Sequence, residues 1–461
     1  MKLQNYIESL RGRSVAVIGI GVSNTPLIRR LCQSGIDVTA CDKASAEQLG
    51  ALAEELTALG AKLQLGADYL DHLTQDVIFR TPGLRHDVPQ LKEAVERGAT
   101  LTSEMEVFFE VCPCPIIAVT GSDGKTTTTT IIAKLLEKAG FTVHLGGNIG
   151  NPLLCEADTM RTTDIAVLEL SSFQLMTMTH SAHVAVITNL APNHLDVHTD
   201  MEEYVASKEN IFLHQWAGDS VILNYDNALT RAEAEKAVGD VQFFSRLEQV
   251  EEGAFLRGDV IFRRSGGQVQ RIMSVEDIKL PGVHNVENYL AAIAAVGDLV
   301  PAELIREFAR EFGGVEHRIE LVRTYRDVRY YNDSIASSPS RTTAGLRSFK
   351  EKVILIAGGY DKHIPFDELG EEIVEHVKLL VLCGDTAEKI RAAVEAAPHY
   401  KAGCPEIIVT APFVTAVETA RDRAVEGDVV TLSPACAAFD QFKNFMVRGK
   451  TFKAIVNGWE E

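Results

Sequence analysis

The feature that most constrains this chain is a glycine-containing turn between a β-branched segment and a helix-forming segment. Residues 116–120, Ile-Ile-Ala-Val-Thr, have the composition of a buried strand, and residues 127–136 are predicted to be helical. The backbone N–H groups of such a turn can converge on a phosphate, and the helix N-terminus adds the positive end of its dipole. The sequence therefore predicts a phosphate-binding loop before this helix.

The loop is a contracted form of the Walker pattern. That pattern has a glycine five residues before Gly124, where this chain has Val119. The remaining Gly-x-x-Gly-Lys-Thr-Thr keeps Lys125 for the outer phosphates and the Thr126 hydroxyl for Mg²⁺. An ordinary strand–turn–helix connection with an exposed lysine is the alternative, and nucleotide binding is favoured. The predicted ATP contacts of the loop are Gly121, Ser122, Asp123, Gly124, Lys125, Thr126 and Thr127.

Composition restricts the class of protein. The 461 residues correspond to about three domains, at roughly 150 residues per domain. A net charge of −19 argues against a nucleic-acid partner, which requires clustered Lys and Arg. Of the scattered cysteines, Cys112 and Cys114 alone are close, which suits a reducing compartment rather than a zinc site. Because no signal peptide or membrane span is recognisable, we expect a soluble cytoplasmic protein.

The first predicted domain resembles a Rossmann unit. Residues 15–18 form a predicted strand that leads into a Gly-x-Gly turn, and residues 37–42 form a second strand that ends in an aspartate. Asn24 replaces the third glycine of the dinucleotide fingerprint. NAD and a different nucleotide therefore both remain candidate ligands of this domain. A further strand at 77–79 leads to a turn that begins at Thr81. We predict a nucleotide-type ligand at the edge where these strands end.

Polar residues follow the predicted strands of the central region. Glu169 ends an apolar strand, and a carboxylate at such a position beside a phosphate loop can hold Mg²⁺. His194 and His198 follow the next strand, where a site role and a surface-loop position are equally compatible with their spacing. Lys208 lies in a predicted helix at 203–212, where an exposed lysine is the usual situation.

The predicted fold class is α/β with three domains. Residues 1–103 form a Rossmann-like N-terminal domain, residues 104–314 a central P-loop ATPase-type domain, and residues 315–461 a Rossmann-like C-terminal domain. The central domain includes a stretch at 217–283 that we predict to be β-rich. The last domain repeats apolar strands and helices in a parallel pattern, without a second phosphate loop.

Short motifs in all three predicted domains carry a family resemblance. They are VTGSDGKTT at 119–127, GNIG at 147–150, ELSSFQL at 169–175, NHLD at 193–196, His284-Asn285 with Asn288, His317-Arg318, Asn332-Asp333-Ser334, SPAC at 433–436 and DQFKNF at 440–445. In this order they resemble the Mur ligases of peptidoglycan synthesis. The last two resemble the branch of that family that adds D-glutamate.

The resemblance implies an ATP-dependent amide synthesis with Mg²⁺. The γ-phosphate would pass to the carboxylate of UDP-N-acetylmuramoyl-L-alanine, and the amine of D-glutamate would attack the acyl phosphate. We expect these small molecules to be the only partners, and the protein to be a monomer. A ligase for another amino acid, a folylpolyglutamate-synthase-like enzyme and an ATP-binding regulatory protein without turnover are the alternatives.

The resemblance also assigns residues to roles. The catalytic residues are Lys125, Glu169, His194 and Lys208, and the metal ligands are Thr126, Glu169, His194 and Lys208. Lys208 would be carbamylated, which requires a neutral amine and hence a lowered pKa. The further ATP contacts are Asn285, Asn288, Arg318 and Asp333. The UDP-substrate contacts are Gly21, Val22, Ser23, Asp42, Lys43, Thr81, Asn148 and Ser171.

The expected amino-acid site departs from the family pattern. Ile335 stands where the family usually has Lys, and Ala438 where it typically has Ser. Two groups that would hold the carboxylates of D-glutamate are therefore replaced. We expect the amino-acid contacts to be Ser337, Arg341, Lys362 and Phe445. The role of Arg341 in binding a carboxylate of D-glutamate is a hypothesis drawn from this sequence alone. The alternative is that Arg341 is a solvated helix residue.

Overall fold

The computed structural model describes residues 1–149, 151–192, 197–280, 282–361 and 364–460. The chain forms two compact units. One consists of Met1–Ile278 and Val283–Arg310, and the other of Lys279–Gly282 and Glu311–Glu461. The described residues contain two sheets in the first unit and one in the second.

The first sheet contains the predicted Rossmann unit. Its strands are Ser14–Ile18 (β1), Asp37–Asp42 (β2), Lys62–Leu65 (β3), Val77–Phe79 (β4) and Thr100–Thr102 (β5), and they pair in parallel in the order β3-β2-β1-β4-β5. The helices of this region are Leu3–Ser9 (α1), Asn24–Gln33 (α2), Ala46–Leu49 (α3), Ala51–Ala58 (α4), Pro89–Glu96 (α5) and Glu104–Val111 (α6). The apolar strands β1 and β4 are buried, as expected for central strands of a parallel sheet. Parallel pairing brings the turn after β1, Asp42 and Thr81 to one edge.

The second sheet contains the phosphate loop. Its strands are Ile116–Thr120 (β6), Val143–Gly147 (β7), Ile165–Glu169 (β8), Val184–Ile187 (β9), Ser220–Asn224 (β10), Asp240–Ser245 (β11), Gly253–Arg257 (β12), Val260–Ser265 (β13) and Gln268–Ser274 (β14). The helices of this region are Lys125–Lys138 (α7), Ser172–Leu175 (α8), Met201–Glu209 (α9), Ala228–Ala232 (α10), Val283–Val296 (α11) and Ala302–Glu311 (α12).

The order of this sheet is β14-β13-β12-β11-β10-β9-β6-β8-β7. The strands pair in parallel from β7 to β12, and β13 and β14 extend the sheet by antiparallel pairing, which confirms the β-rich stretch. Because β8 and β9 lie on either side of β6, the segments after these two strands flank the phosphate loop.

The third sheet lies in the second unit. Its strands are Glu320–Tyr325 (β15), Val328–Asn332 (β16), Val353–Ala357 (β17), Val377–Leu382 (β18), Glu406–Val409 (β19) and Val429–Leu432 (β20), in the order β15-β16-β20-β17-β18-β19. The helices are Pro339–Leu346 (α13), Asp367–His376 (α14), Ala387–Ala396 (α15), Phe413–Arg423 (α16) and Phe445–Asn457 (α17). The predicted parallel pattern is confirmed for β16 to β20.

The antiparallel edge strand β15 was not predicted. It joins β16 through a two-residue turn at Arg326 and Asp327, whose φ angles are 51° and 58°. Two positive φ angles are the geometry of a tight hairpin turn, which Asn-Gly or Asp-Gly usually signals. Arg-Asp carries no such signal, so the sequence pattern does not reveal the hairpin.

The predicted α/β class is confirmed by these parallel-rich sheets. Each sheet falls within one of the three predicted domain ranges, while the division of the chain at those boundaries stays a prediction. In the part of the chain that the structure describes, none of the helices has both the length and the apolar character needed to cross a membrane.

Candidate active site

The phosphate loop has the predicted strand–turn–helix form, with α7 beginning at Lys125. Gly124 caps the helix in the left-handed region, with φ of 77°. Gly121 has φ of 145°, and a Cβ atom there would lie 1.9 Å from Thr188 Oγ1. The loop is also tied to the segment after β9, because Ser122 N donates to Asn189 O at 2.9 Å and Asp123 N to Asn189 Oδ1 at 2.9 Å. The local sequence therefore produces a turn that the backbone and side chain of Asn189, distant in sequence, hold in place.

The ammonium of Lys125 lies over this turn. Its Nζ donates to the carbonyl oxygens of Gly121 at 3.0 Å and Ser122 at 2.9 Å. Thr126 and Thr127 are half-buried in the first turn of α7. The loop, the positive end of the helix and a lysine thus come together as a phosphate site requires.

Glu169 lies beside the loop at the end of β8. It pairs in register with Val119, and its side chain is only 3% exposed. Asn148 Nδ2 donates to its Oε1 at 2.7 Å, and Asn148 N donates to its carbonyl oxygen at 2.8 Å. Its Oε2 is buried and accepts no hydrogen bond from the described residues. A buried carboxylate oxygen without a donor fits a cation ligand.

Lys208 is buried, so the exposed-lysine interpretation is wrong. The residue lies near the end of α9, is 2% exposed, and donates from Nζ to Thr120 Oγ1 at 3.1 Å and Gly121 O at 3.0 Å. Burial lowers the pKa of the Lys208 amine well below its ordinary value, and the positive charge of Lys125 lowers it further. A neutral amine therefore becomes accessible next to the phosphate loop.

Tyr204 connects the same helix to the loop and was not predicted as a site residue. Its hydroxyl and Ser122 Oγ form a 3.0 Å hydrogen bond. The amine of Lys208 lies 4.7 Å from the centroid of its ring. The spacing of four residues between Tyr204 and Lys208, which places both on one helix face, was the signal that could have revealed it.

Asn288 of α11 contacts the start of α7, and Asn285 of the same helix contacts Asn288. Asn288 Oδ1 accepts from Thr128 Oγ1 at 3.2 Å, and Asn288 Nδ2 donates to Asn285 Oδ1 at 3.1 Å. A Cβ atom on Gly124 would lie 2.5 Å from Asn288 Oδ1. Asn288 therefore packs against the start of α7, and the adenine contacts of both asparagines stay a prediction.

His198 is buried, so the surface-loop alternative is wrong for this residue. It is 2% exposed, and its Nε2 shares a 2.9 Å hydrogen bond with Ser172 Oγ. Its ring stacks on Phe173 at a centroid distance of 5.3 Å. Ser171, predicted to lie near the reacting carboxylate, caps the α8 turn by accepting from Gln174 N at 3.3 Å.

Six of the eight predicted UDP-substrate contacts lie at the edge of the first sheet, whereas Asn148 and Ser171 follow β7 and β8 of the second sheet. Asp42 Oδ2 accepts from Ile20 N at 2.6 Å, so this carboxylate holds the turn after β1. Gly19 approaches Thr81 closely, since a Cβ atom there would lie 2.8 Å from Thr81 Cβ. The remaining predicted contacts at this edge are partly or fully exposed, namely Gly21, Val22, Ser23 and Lys43.

In the second unit, Asp333 is a buried acid. Its Oδ2 accepts from Ser433 Oγ at 2.7 Å, and its Oδ1 accepts from Ile319 N at 3.3 Å. Burial raises the pKa of Asp333 to about 7, although Ser433 and the positive charge of Arg318 oppose the rise. The Nε of Arg318 is buried and has no acceptor among the described residues. Asp333 and Arg318 thus share one electrostatic environment, and their contacts with ATP stay a prediction.

The described residues among the predicted amino-acid contacts, Ser337, Arg341 and Phe445, lie around Ile335 and at the start of α17. Arg341 is exposed on α13, and its Nη1 donates to Ile335 O at 3.4 Å. Ser337 Oγ donates to the same oxygen at 3.1 Å. Phe445 begins α17, and its carbonyl oxygen accepts from Ser334 Oγ at 2.8 Å. Arg341 and Ser337 therefore meet at one carbonyl, and a role in binding D-glutamate stays a prediction.

Two predicted residues, His194 and Lys362, lie outside the described residues, as does Gly150 of the GNIG motif. Within the described ranges, no group of three His, Cys, Asp or Glu side chains could hold a metal ion. The predicted ligand set mixes Thr126 and Glu169 with His194 and a modified Lys208. The second Mg²⁺ at His194 accordingly stays a prediction.

Comparison with known proteins covers nearly the whole chain. A family described as the Mur ligase middle domain matches residues 119–296, and one described as the Mur ligase, glutamate ligase domain matches residues 317–436. A protein of Acetivibrio thermocellus named UDP-N-acetylmuramoylalanine--D-glutamate ligase is 54% identical, over 100% of this chain and 99% of that protein. A protein of Ruminiclostridium cellulolyticum with the same name is 50% identical, over 99% of both chains.

Solved structures share the fold at low identity. UDP-N-acetylmuramate-alanine ligase from Thermotoga maritima has a TM-score of 0.56 and 18% identity, over 96% of this chain and 99% of that chain. UDP-N-acetylmuramoyl-L-alanyl-D-glutamate--2,6-diaminopimelate ligase has a TM-score of 0.54 and 17% identity, over 97% and 94% of the two chains. These likenesses support the multidomain architecture alone.

Proposed function

The chain belongs to the Mur ligase family, and from this we propose that it joins D-glutamate to UDP-N-acetylmuramoyl-L-alanine in an ATP-dependent reaction of peptidoglycan precursor synthesis. The reaction forms one amide bond and converts ATP to ADP and phosphate. Relatives that carry this activity in their names match this chain from end to end, at 54% and 50% identity. Since ATP and UDP-linked substrates occur in the cytoplasm, the proposal includes a cytoplasmic location, and we expect a monomer.

The observation that carries the proposal is the meeting of three groups at the end of β6. The Lys208 amine donates to Thr120 Oγ1 and Gly121 O of the phosphate loop, and Glu169 pairs in register with Val119, directly before that loop. Phosphoryl transfer depends on position and charge more than on covalent help from the protein. Lys125 and the loop N–H groups would bind the β- and γ-phosphates and orient the γ-phosphate toward the acceptor carboxylate.

The described residues fit a magnesium ion on one side of this loop. Thr126 and Glu169 would hold the ion that accompanies ATP, because the Oε2 of Glu169 is buried without a donor among the described residues. His194 and a carbamylated Lys208 would hold a second ion. A Mg²⁺ ion held by these residues would supply charge neutralisation for the transferred phosphoryl group.

Carbamylation of Lys208 is part of the proposal. The neutral amine adds to CO₂, a proton leaves, and the product is a carbamate that carries one negative charge. The lowered pKa of Lys208 makes the neutral amine available for this step. The new carboxylate would meet the positive charge of Lys125, which favours it over an unmodified ammonium.

The remaining assignments divide between the substrates. The UDP-substrate would lie along Gly21, Val22, Ser23, Asp42, Lys43, Thr81, Asn148 and Ser171. ATP would also meet Asn285, Asn288, Arg318 and Asp333, and D-glutamate would meet Ser337, Arg341, Lys362 and Phe445. The buried, partly protonated Asp333 would offer a hydrogen-bond donor as well as acceptors near neutral pH.

The test is amino-acid-dependent phosphate release. The protein is incubated with ATP, Mg²⁺ and UDP-N-acetylmuramoyl-L-alanine, together with a panel of D- and L-amino acids. We expect release with D-glutamate, and a ligated product of the corresponding mass. Release with another amino acid alone would assign a different ligase, and the absence of release with every amino acid would contradict the proposal.

A further inference from the structure

Arg85 lies in the loop after β4, four residues beyond Thr81 of the predicted UDP site. Its guanidinium donates to both oxygens of Asp87, at 2.8 and 2.9 Å, and to both oxygens of Glu203, at 2.7 and 2.9 Å. Its Nη1 also donates to Val197 O at 2.8 Å. The side chain is 23% exposed. Arg85 therefore connects the loop after β4 both to Val197, which precedes α9, and to Glu203, which lies within α9.

Glu203 is the third residue of α9, at the end opposite Lys208. Asp200 caps this helix by accepting from Glu203 N at 2.8 Å, and Glu203 Oε2 accepts from Thr199 N at 2.8 Å. Its carboxylate thus holds the backbone before the helix while it binds Arg85. The donors around this carboxylate, Arg85 first, hold the pKa of Glu203 far below its usual range, so that it stays charged at neutral pH.

The same helix reaches the phosphate loop at its next turns. Tyr204 directly follows Glu203, and its hydroxyl hydrogen-bonds to Ser122 Oγ at 3.0 Å. Lys208 donates to Gly121 O at 3.0 Å. A shift of α9 would therefore move both of these contacts.

A second arginine of the loop ties it to α8. Arg80 is 1% exposed, and its Nη2 donates to Phe173 O at 3.0 Å and Thr177 Oγ1 at 2.9 Å. Phe173 in turn stacks on His198, which precedes α9. The loop at 80–87 is thus joined to the segments that follow both β8 and β9.

We propose that Arg85 is a positioning residue of the ligase reaction. Its ion pair with Glu203 holds the start of α9 against the loop that leads from the predicted UDP site, and this keeps Lys208 and Tyr204 against the phosphate loop. The pairing is two-pronged on each carboxylate and partly buried, which makes it stronger and more directional than an exposed ion pair. The inference rests on the proposed function for its kinetic readout.

The kinetic test compares Arg85→Gln with Arg29→Gln. Arg29 forms a similar two-pronged pair with Glu55, at 2.6 and 2.9 Å, on the helices α2 and α4 away from the loop. We expect Arg85→Gln to lower kcat about tenfold or more, because small displacements of catalytic groups cost up to about 10²-fold. The KM for D-glutamate should change less than about twofold, and Arg29→Gln should leave both constants within about twofold of wild type.

A double-mutant cycle shows whether the effect passes through Glu203. Glu203→Gln should lower kcat to a similar extent, and the double variant should be no slower than the slower single variant. Losses that multiply in the double variant would overturn the proposal. If Arg85→Gln does not fold, Arg85→Lys replaces it, since lysine keeps the charge but cannot span both carboxylates.

Hydrogen exchange of α9 provides a readout that does not depend on turnover. The amides of residues 201–209 should exchange faster in Arg85→Gln than in wild type, and at the wild-type rate in Arg29→Gln. Unchanged exchange in Arg85→Gln, or a kcat within about twofold of wild type, would overturn the positioning role. If wild type releases no phosphate with any amino acid, the proposed function fails by itself, and the exchange rates alone decide the role of Arg85.

Discussion

The Lys208 amine donates to the carbonyl oxygen of Gly121 over 3.0 Å, so a buried side chain joins α9 to the phosphate loop. The contact links a residue that can be modified with a turn that binds phosphate. It also places the low-pKa amine within the electrostatic reach of Lys125. The chemistry of Lys208 and that of the loop are therefore expected to depend on each other.

Lys208→Ala should abolish most of the D-glutamate-dependent phosphate release. The variant would lack the proposed carbamate, which would support the second metal and contribute several kcal/mol of charge stabilisation, as an order of magnitude. Formate should restore part of the rate by supplying a small carboxylate, and intact-protein mass should reveal the carbamate in wild type. Lys134→Ala, which removes an exposed lysine of α7 paired with Glu137, is the control. Near-native rates in Lys208→Ala without formate would show that no modified lysine is needed.

Lys125→Ala should abolish turnover and leave UDP-substrate affinity nearly unchanged. The ammonium lies over the phosphate loop after β6 of the second sheet, whereas six of the eight predicted UDP-substrate contacts lie at the edge of the first sheet. Titration calorimetry of the variant with UDP-N-acetylmuramoyl-L-alanine measures the affinity. A comparable loss of affinity for that substrate would contradict the division of ATP and UDP-substrate between the first two sheets.

Gly124→Ala should weaken ATP binding far more than the backbone cost of replacing a glycine with positive φ would explain. The new Cβ would lie 2.5 Å from Asn288 Oδ1, which must move and disturb the start of α7. Gly12→Ala is a matched control, since Gly12 has the same φ of 77° but nothing within 4 Å of its Cβ position. Both substitutions carry a backbone cost of about 1 kcal/mol. The KM for ATP should rise in Gly124→Ala and stay at the wild-type value in Gly12→Ala. Equal KM values in the two variants would show that the contact of Gly124 with Asn288 does not affect ATP binding.

Arg341→Ala should raise the KM for D-glutamate tenfold or more, because a charge-assisted hydrogen bond is worth roughly 1.5–3 kcal/mol. Arg341 reaches the carbonyl of Ile335, where the family usually has a lysine. Arg347→Ala on the same segment removes a pair with Glu372 and should leave this KM unchanged. D-alanine should be rejected by a factor on the order of 10⁴. An unchanged KM in Arg341→Ala would mean that the residue is only a solvated helix position.

Glu104→Gln should change the pH dependence of stability. Glu104 is buried in α6 and accepts from Leu154 N at 2.9 Å, and burial raises its pKa from 4.5 to about 7. The folded state therefore keeps a proton that the unfolded state releases above pH 4.5, so the stabilising contribution of Glu104 is complete below pH 4.5 and is lost as the pH rises through 7.

The measurement for Glu104 is the free energy of unfolding in urea at several pH values. Between pH 4.5 and 8, the free energy of unfolding of wild type should fall by about 3 kcal/mol relative to that of Glu104→Gln, as the shift of the Glu104 pKa implies. Glu93→Gln, at an exposed position of α5, should parallel wild type. Parallel curves for wild type and Glu104→Gln would contradict the raised pKa.

The sequence alone determined the features whose requirements are local. A strand, two glycines in a short turn and a helix predict the phosphate loop, because backbone conformation and helix polarity depend on neighbouring residues. The alternation of apolar strands with helices predicted the parallel sheets, since that pattern leaves few other arrangements. The position of Glu169 beside the loop followed from the same rule, because parallel strands end at one edge.

Only the tertiary structure decided the environment of the side chains. Lys208 and His198 are buried because segments distant in sequence cover them, and no local pattern records this. Arg85 and Glu203 are separated by 118 residues, and Asn148 and Glu169 by 21, so their pairing depends on how the strands are ordered. The pKa and the partners of an ionisable side chain depend on the groups that folding brings near it. For this reason the electrostatics of the site follow from the three-dimensional fold.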